Sequence, residues 1–306
     1  MIESIILWAL AIMTAPFFSA LILNVKAFFG GKKGPPFLIN YYTLIKLFKK
    51  GSVYSRSTTF IFKLGPIVSL STVLTALMFL PIAGHTPIFS FNGDVIFVLY
   101  LLGLGRFFTI AAAMDTASPF EGMGAAREAF FPIICEASMF MILILFYRLT
   151  NELQFSAYFS DNNPLELWKT AGSPLIFIVM AFFIILLTEN SRVPVDDPAT
   201  HLELTMIHEV MVLDHSGPDL ALIELGSFCK LFLYSAFIAR LIFPFNLENI
   251  YLTGGVFVGA LILVYIATGI MESVIARYRM DKVPHFVLTS FALALFAIVI
   301  TLEFVK

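Results

Sequence analysis

Charge and cysteine are both scarce in this sequence. Of its 306 residues, 13% are charged and 59% are hydrophobic, whereas soluble domains carry roughly 25% charged and about 45–50% apolar residues. Charge this sparse cannot coat a water-facing surface, so the remainder must face lipid. The two cysteines, Cys135 and Cys229, each sit in an apolar stretch, which excludes a disulfide framework or a Cys-based metal site. Two small core residues is the reading they support. The net charge is −2 and no basic stripe runs through the chain, so the electrostatic footprint of a nucleic-acid binder is missing. Gly30-Gly31-Lys32-Lys33-Gly34 reads as a turn, since it lacks the spacing and strand context of a P-loop. There is no cofactor box, and no activated nucleophile. No internal repeat of the kind that builds inverted-repeat carriers is visible. The first apolar stretch, Ile2 to Val25, has Glu3 as its early charge and no basic segment before it, so a retained first helix is expected rather than a cleaved leader.

Long apolar runs are what the sequence has in abundance. A bilayer core of roughly 30 Å takes about 20 apolar residues in helix. By that measure the sequence predicts eight spans, at about 2–24, 60–82, 94–114, 130–150, 173–191, 219–243, 252–275 and 284–304. The expected fold is an all-α integral membrane protein, a bundle of about eight transmembrane helices with long cytoplasmic loops. It forms a single polytopic membrane domain over residues 1–306. The third run is interrupted by Arg106, and the sixth holds Glu224 and Lys230. The first connection carries Lys26, Lys32, Lys33, Lys46, Lys49, Lys50 and Arg56, and the last carries Arg277, Arg279 and Lys282. With eight spans these fall on one side together with Arg127 and Arg192. Excess lysine and arginine marks the cytoplasmic side, which puts both termini outside.

Three polar constellations interrupt the apolar pattern. The densest runs from Glu189 to Glu209 and includes Arg192, Asp196, Asp197, His201, Glu203, Thr205 and His208. Asp197 before Pro198 reads as a helix N-cap with proline at the first helical position. The helix predicted to follow places His201, Thr205 and His208 on one stripe, Glu209 beside it and Glu203 on the opposite face. One ligand cluster is thereby excluded. A zinc helix also fails, because His208-Glu209 is followed by Val212 where a second histidine is needed. The competing reading is a solvated loop, which the interleaved apolar residues argue against.

The second constellation is Arg106, Asp115, Glu121, Arg127, Glu128 and Glu136. Arg127 and Glu128 open the fourth predicted span and Glu136 lies about two turns inside it. A charge at that depth costs roughly 2.5–3.5 kcal/mol on insertion scales, so Glu136 is expected to face the bundle interior and to have a partner. A structural ion pair and a protonatable site tuned by burial both satisfy that requirement. In the third constellation, the spacing of six puts Glu224 and Lys230 on different faces, so each needs its own neighbour. Glu272 falls near the cytoplasmic boundary, where solvation is easy. Several buried acids linked by water make a proton relay across part of a membrane.

The pattern resembles the respiratory complex I subunit 1 superfamily, and within it the branch found in membrane-bound nickel–iron hydrogenases such as formate hydrogenlyase and hydrogenase-4. The resemblance covers nearly the whole chain. It is carried by Gly34-Pro35-Pro36 with Tyr42-Thr43-Leu44-Ile45-Lys46 in the first loop, by Arg106-Phe107-Phe108 through Asp115 to Glu128, and above all by the Glu189–Glu209 stretch. It implies a subunit that joins a peripheral arm of hydrogenase-like large and small subunits and iron–sulfur proteins to antiporter-like membrane subunits. The setting it implies is a bacterial or archaeal cytoplasmic membrane. By resemblance Glu136, Glu203 and Glu224 match acids of a proton path, Arg127 and Arg192 match its basic residues, and Glu209 follows further along the same loop. Asp196, His208 and Lys230 join this candidate path, with Arg106 as a further charge partner. No cofactor or metal is implied for the chain itself. Arg192-Val193-Pro194-Val195-Asp196-Asp197 keeps the frame of the quinone-reducing branch, but Ala199 and His201 stand where that branch has glutamates. A hydrogenase-type subunit is therefore favoured over a quinone-site subunit. An autonomous carrier is disfavoured by the missing repeat, and a purely structural anchor would make the buried acids dispensable.

Overall fold

The computed structural model describes residues 2–159, 164–197, 206–243 and 250–304. Eleven helices are present in the described residues: α1 (Ile2–Phe29), α2 (Ile39–Phe48), α3 (Phe60–Leu77), α4 (Asp94–Asp115), α5 (Pro119–Thr150), α6 (Phe155–Tyr158), α7 (Pro164–Glu189), α8 (His208–Met211), α9 (Pro218–Ile242), α10 (Ile250–Val274) and α11 (Val283–Phe304). Seven of them are long and apolar enough to cross a membrane: α1, α3, α4, α5, α9, α10 and α11. The remaining predicted span, 173–191, falls on α7, whose apolar part Pro174–Glu189 is shorter. Helices dominate because the backbone must satisfy its own hydrogen bonds where water is absent.

Helix starts follow local chemistry. The Thr59 side chain caps α3 by accepting from the Ile61 amide at 3.3 Å. Thr59 is itself fixed by Asp115, which accepts from its amide at 2.6 Å and from its hydroxyl at 2.9 Å. One carboxylate at the end of α4 thus ties down the beginning of α3. Pro119 and Pro218 open α5 and α9, at the position where a missing N–H does least harm. At the other end of the bundle, buried Asp94 opens α4 and accepts from the Phe155 amide at 2.9 Å.

The third predicted span, 94–114, is α4, which runs unbroken through Arg106. The fourth, 130–150, lies within the longer, 32-residue α5, roughly 48 Å long at 1.5 Å per residue. Arg127 and Glu128 lie inside this helix rather than opening it.

Among the seven membrane-length helices the most enclosed is α9, which packs against α1, α2, α3, α7 and α10. Around it α3 and α4 pair closely, and α11 closes the bundle against α5 and α7. The interior is mainly aliphatic and aromatic, with Phe182, Phe237 and Phe159 grouped around the far end of α9. Buried Asp94 and Arg240 lie at that far end too, but most of the buried charged side chains enter at the end that carries the basic loops. The site is built there.

Candidate functional site: a chain of buried charges beside a polar cavity

Four helices each contribute one charged side chain to a continuous chain. Lys230 on α9 donates to Glu189 at the end of α7, with Nζ 3.0 Å from Oε2 and 2.6 Å from the Glu189 carbonyl. Arg106 on α4 grips the same carboxylate, its Nη2 lying 2.7 and 2.8 Å from the two oxygens. The other arm of that guanidinium, Nη1, reaches Glu136 Oε1 on α5 at 2.8 Å. Forked contacts of this kind are strong because both partners are charged and the guanidinium is rigid. Two cations and two anions make the chain neutral, which is what allows it to lie in a low-dielectric interior.

Exposure grades along the chain. The Glu189 side chain is 3% exposed, Arg106 11% and Glu136 44%. Glu136 was expected to face the bundle interior; instead it has its partner but emerges on the α4–α5 flank. The helical register explains this, since Cys135, Ser138 and Met139 occupy the buried face of α5 and position 136 lies about 100° away from 135.

A polar cavity of about 60 Å³ adjoins Arg106, Glu189 and Lys230. This is several times the roughly 10–15 Å³ that one water needs. Glu128, His208, Ser227, Asn190 and Thr109 also line it, so a water there would find polar partners on every side. Glu128 makes no ion pair among the described residues. Nor do Glu209 and Glu224, which lie within electrostatic reach of each other. The site therefore has two parts: a locked row of charge pairs, and Glu128 with His208 beside water-sized space.

Other expected residues are placed elsewhere. Asp196 is 1% exposed and holds a loop together. Its Oδ2 accepts from the Ile207 and His208 amides at 2.9 and 3.1 Å, and its Oδ1 pairs with Arg277 at 2.9 Å. Arg127 completes this clasp by donating to the Met206 carbonyl at 2.9 Å. Arg192 belongs to a separate cluster, 3.3 Å from Glu272, which Lys26 also meets at 3.0 Å. Glu272 was expected to be easily solvated, yet its side chain is 1% exposed, because a lysine and an arginine from two sides cover it. The stripe expected on one helix through His201, Thr205 and His208 is broken: Met206 and Ile207 are not helical and His208 begins the separate α8. His201, Thr205 and Glu203 lie outside the described residues.

Sequence reasoning missed the hub. Glu189 was visible only as the start of a polar stretch, and Glu128 only as a helix-opening charge. The usable signal was Arg106: a guanidinium in mid-span needs more than one acceptor, and Glu189 ends the run 175–188 of largely apolar residues on a neighbouring span.

Fold and site together define a polytopic membrane protein that carries a paired-charge chain beside internal water-sized space. The chain belongs to the family described as NADHdh, NADH dehydrogenase, whose model matches residues 2–302; this is the complex I subunit 1 type. Among curated relatives, it is 27% identical to hydrogenase-4 component C of Escherichia coli over 94% of this chain and 91% of that one. It is 25% identical to formate hydrogenlyase subunit 4 of the same organism, over 98% and 96% of the two chains. An NADH-quinone oxidoreductase subunit of Rickettsia prowazekii is 26% identical over 77% of this chain and 70% of its own. A solved structure, that of the membrane-bound sulfane sulfur reductase, an archaeal respiratory membrane complex, contains a chain of the same fold, with TM-score 0.78 and 19% identity, covering 97% of this chain and 98% of that one.

Proposed function

We propose that this chain is the membrane subunit of an energy-converting, hydrogenase-like oxidoreductase complex in a bacterial or archaeal cytoplasmic membrane. It anchors a peripheral redox arm and carries part of the proton path that couples electron transfer to ion translocation. The observation that carries this reading is the row Lys230–Glu189–Arg106–Glu136, which links the polar cavity to a flank where a carboxylate is left half-exposed at membrane depth. A carboxylate facing lipid would be costly. One facing an antiporter-like neighbour subunit would instead pass charge sideways.

In this mechanism a proton enters from the cytoplasmic, basic-loop side through Glu203, Glu209, Glu224 and His208. Water in the cavity carries it to Glu128. A charge change in the docked arm shifts the clasp formed by Asp196, Arg127 and Arg277, and so alters the approach to the cavity. The locked pairs respond by Coulombic coupling, since a proton arriving on Glu128 weakens what Arg106 gains from its surroundings. Glu136 then presents the altered balance to the neighbouring subunit. The redox centres belong to the arm, formed by hydrogenase-like large and small subunits and iron–sulfur proteins, and this chain supplies no redox chemistry of its own.

The test uses the assembled complex in sealed vesicles. Glu224→Gln and Glu136→Gln variants should assemble and keep electron transfer within the docked arm, while ion translocation per electron falls at least about tenfold. Normal translocation in a fully assembled Glu136→Gln complex removes Glu136 from the path. The second reading, a subunit forming a quinone site in a complex I-type NADH dehydrogenase, is supported by the partial match to the NADH-quinone oxidoreductase relative. Its support is weaker because the hydrogenase-type relatives cover more of both chains. A nickel–iron large subunit co-purifying in mild detergent decides for the first, and quinone-dependent, inhibitor-sensitive activity for the second.

A further inference from the structure

Between Glu3 and Asp94 the sequence has no acidic residue but eight lysines and arginines. Lys26 is engaged by Glu272, and Lys63 lies 4.5 Å over the Tyr54 ring. The other six, Lys32, Lys33, Lys46, Lys49, Lys50 and Arg56, are exposed and make no ion pair among the described residues. Three of them, Lys46, Lys49 and Lys50, gather around the last turn of α2 and its C-terminal cap. Cations there are favoured by the helix dipole, yet no acid comes to meet them.

The same helix has two apolar stripes. Leu44 and Leu47 are buried against Ala221 of α9. Leu38, Tyr42, Ile45 and Phe48 follow one another at intervals of three or four and are 49%, 58%, 52% and 48% exposed, so they form a continuous outer stripe. A helix covered by its own protein on one side and apolar on another is built for an amphiphilic neighbour. It is also held in place rather than hanging free. Asn40 Nδ2 donates to the Pro16 carbonyl at 2.8 Å, the Tyr41 hydroxyl donates to the Met13 carbonyl, and Phe37 stacks on Phe17 at 5.5 Å. All three anchors lie within the first membrane helix, so the outer stripe of α2 continues the lipid-facing flank of α1, where Met13 and Leu10 are 73% and 52% exposed. An acidic protein surface would answer the lysines and leave this stripe uncovered. A phospholipid answers both.

We propose that α2 and its C-terminal turn form a seat for an anionic phospholipid of the adjoining leaflet. The acyl chains lie along Leu38, Tyr42, Ile45 and Phe48, and the phosphate sits among Lys46, Lys49 and Lys50. Basic amphipathic helices in the interfacial plane gain affinity from both terms. This inference does not rest on the proton path and stands or falls separately.

The full chain, delipidated in mild detergent, is titrated with phosphatidylglycerol and phosphatidylcholine of identical chains and read by native mass spectrometry. Each lysine near a headgroup is worth roughly a fivefold gain for an anionic lipid at low salt. The wild type should therefore bind phosphatidylglycerol at least about tenfold more tightly than phosphatidylcholine. The triple variant Lys46→Gln/Lys49→Gln/Lys50→Gln should lose that preference, and the triple Lys→Arg variant should keep it, with unchanged circular dichroism in both. Ile45→Gln/Phe48→Gln should weaken both lipids together. Equal binding of the two lipids to the wild type, or a full preference retained in the Gln variant, overturns the proposal. So does a short-chain glycerophosphate that binds as tightly as the lipid. If the lysines instead cross-link to acidic residues of a co-purifying protein and no lipid preference exists, the seat belongs to a protein and the proposal is wrong.

Discussion

Two cavities lie between the same helices of the bundle and share the wall residue Leu102, yet they could hardly differ more. The one toward the basic loops is lined by Arg106, Glu128, Glu189, His208 and Lys230. The one toward the opposite end, about 30 Å³, is lined by Val95, Val98, Leu143, Phe146, Phe237 and their aliphatic and aromatic neighbours. Apolar cavities of this size stay dry, because a water inside them finds no hydrogen-bond partner. The contrast teaches where a proton can go. Polar space toward the basic loops reaches the level of Arg106 and gives way there to apolar packing, which is why the proposed path turns sideways, past Glu136.

Arg106→Leu should break this contrast most severely. It leaves Glu189 with Lys230 alone and takes away the ion-pair partner of Glu136, and removing one partner of a buried pair costs roughly 3–5 kcal/mol. Thermal unfolding in detergent should fall accordingly, and a variant with unchanged stability would mean that the charge row is not structural. A smaller effect is expected at the loop end, where buried His215 stacks on Phe62 at 3.9 Å, outside both of these cavities. Burial pushes its pKa down to about 4, against weaker upward pulls from Asp219 and Asp214. The unfolded chain therefore binds a proton here that the folded chain refuses. The stability contributed is complete above about pH 6.5 and declines as the pH drops toward 4, by up to roughly 3 kcal/mol. His215→Gln should flatten the stability–pH curve in that window; an unchanged slope would place the pH dependence elsewhere.

Two isosteric exchanges sharpen the comparison further. Val98→Thr puts a hydroxyl into the dry cavity, where only the backbone of its own helix can accept from it, and should cost about 1–3 kcal/mol, the mutational cost of burying a hydroxyl in an apolar site. Thr72→Val, in the wall of the polar cavity, removes a hydroxyl that donates to the Ser69 carbonyl at 2.9 Å. Its cost should stay within about 1 kcal/mol. Similar costs at both positions would mean that the two cavities are equally wet.

Much of the fold was legible because lipid imposes one rule on every span. Runs of apolar residues long enough to cross named α1, α3, α4, α9, α10 and α11 closely, and the sparse charge excluded a soluble domain. The site was legible only in part. Arg106, Glu136 and Lys230 announce themselves as charges in apolar runs, but which acid meets which base depends on packing between helices far apart in sequence. Arg106 and Glu189 are separated by 83 positions, and Arg192 and Glu272 by 80. Periodicity within one helix carries no information about such pairs. It also misled at His208, where Asp196 accepts two successive amides and stops the helix predicted after Pro198 from running through.

The half-path itself is open to direct measurement with single cysteines, since the native Cys135 and Cys229 are buried and can be replaced by alanine. Ser227→Cys, in the polar cavity, and Val98→Cys, in the dry one, are each exposed in oriented vesicles to silver ion, which is small enough to follow water. Reaction at position 227 from the basic-loop side alone, with none at position 98 from either side, is the predicted result. Reaction at position 98, or at 227 from the opposite side, would contradict it.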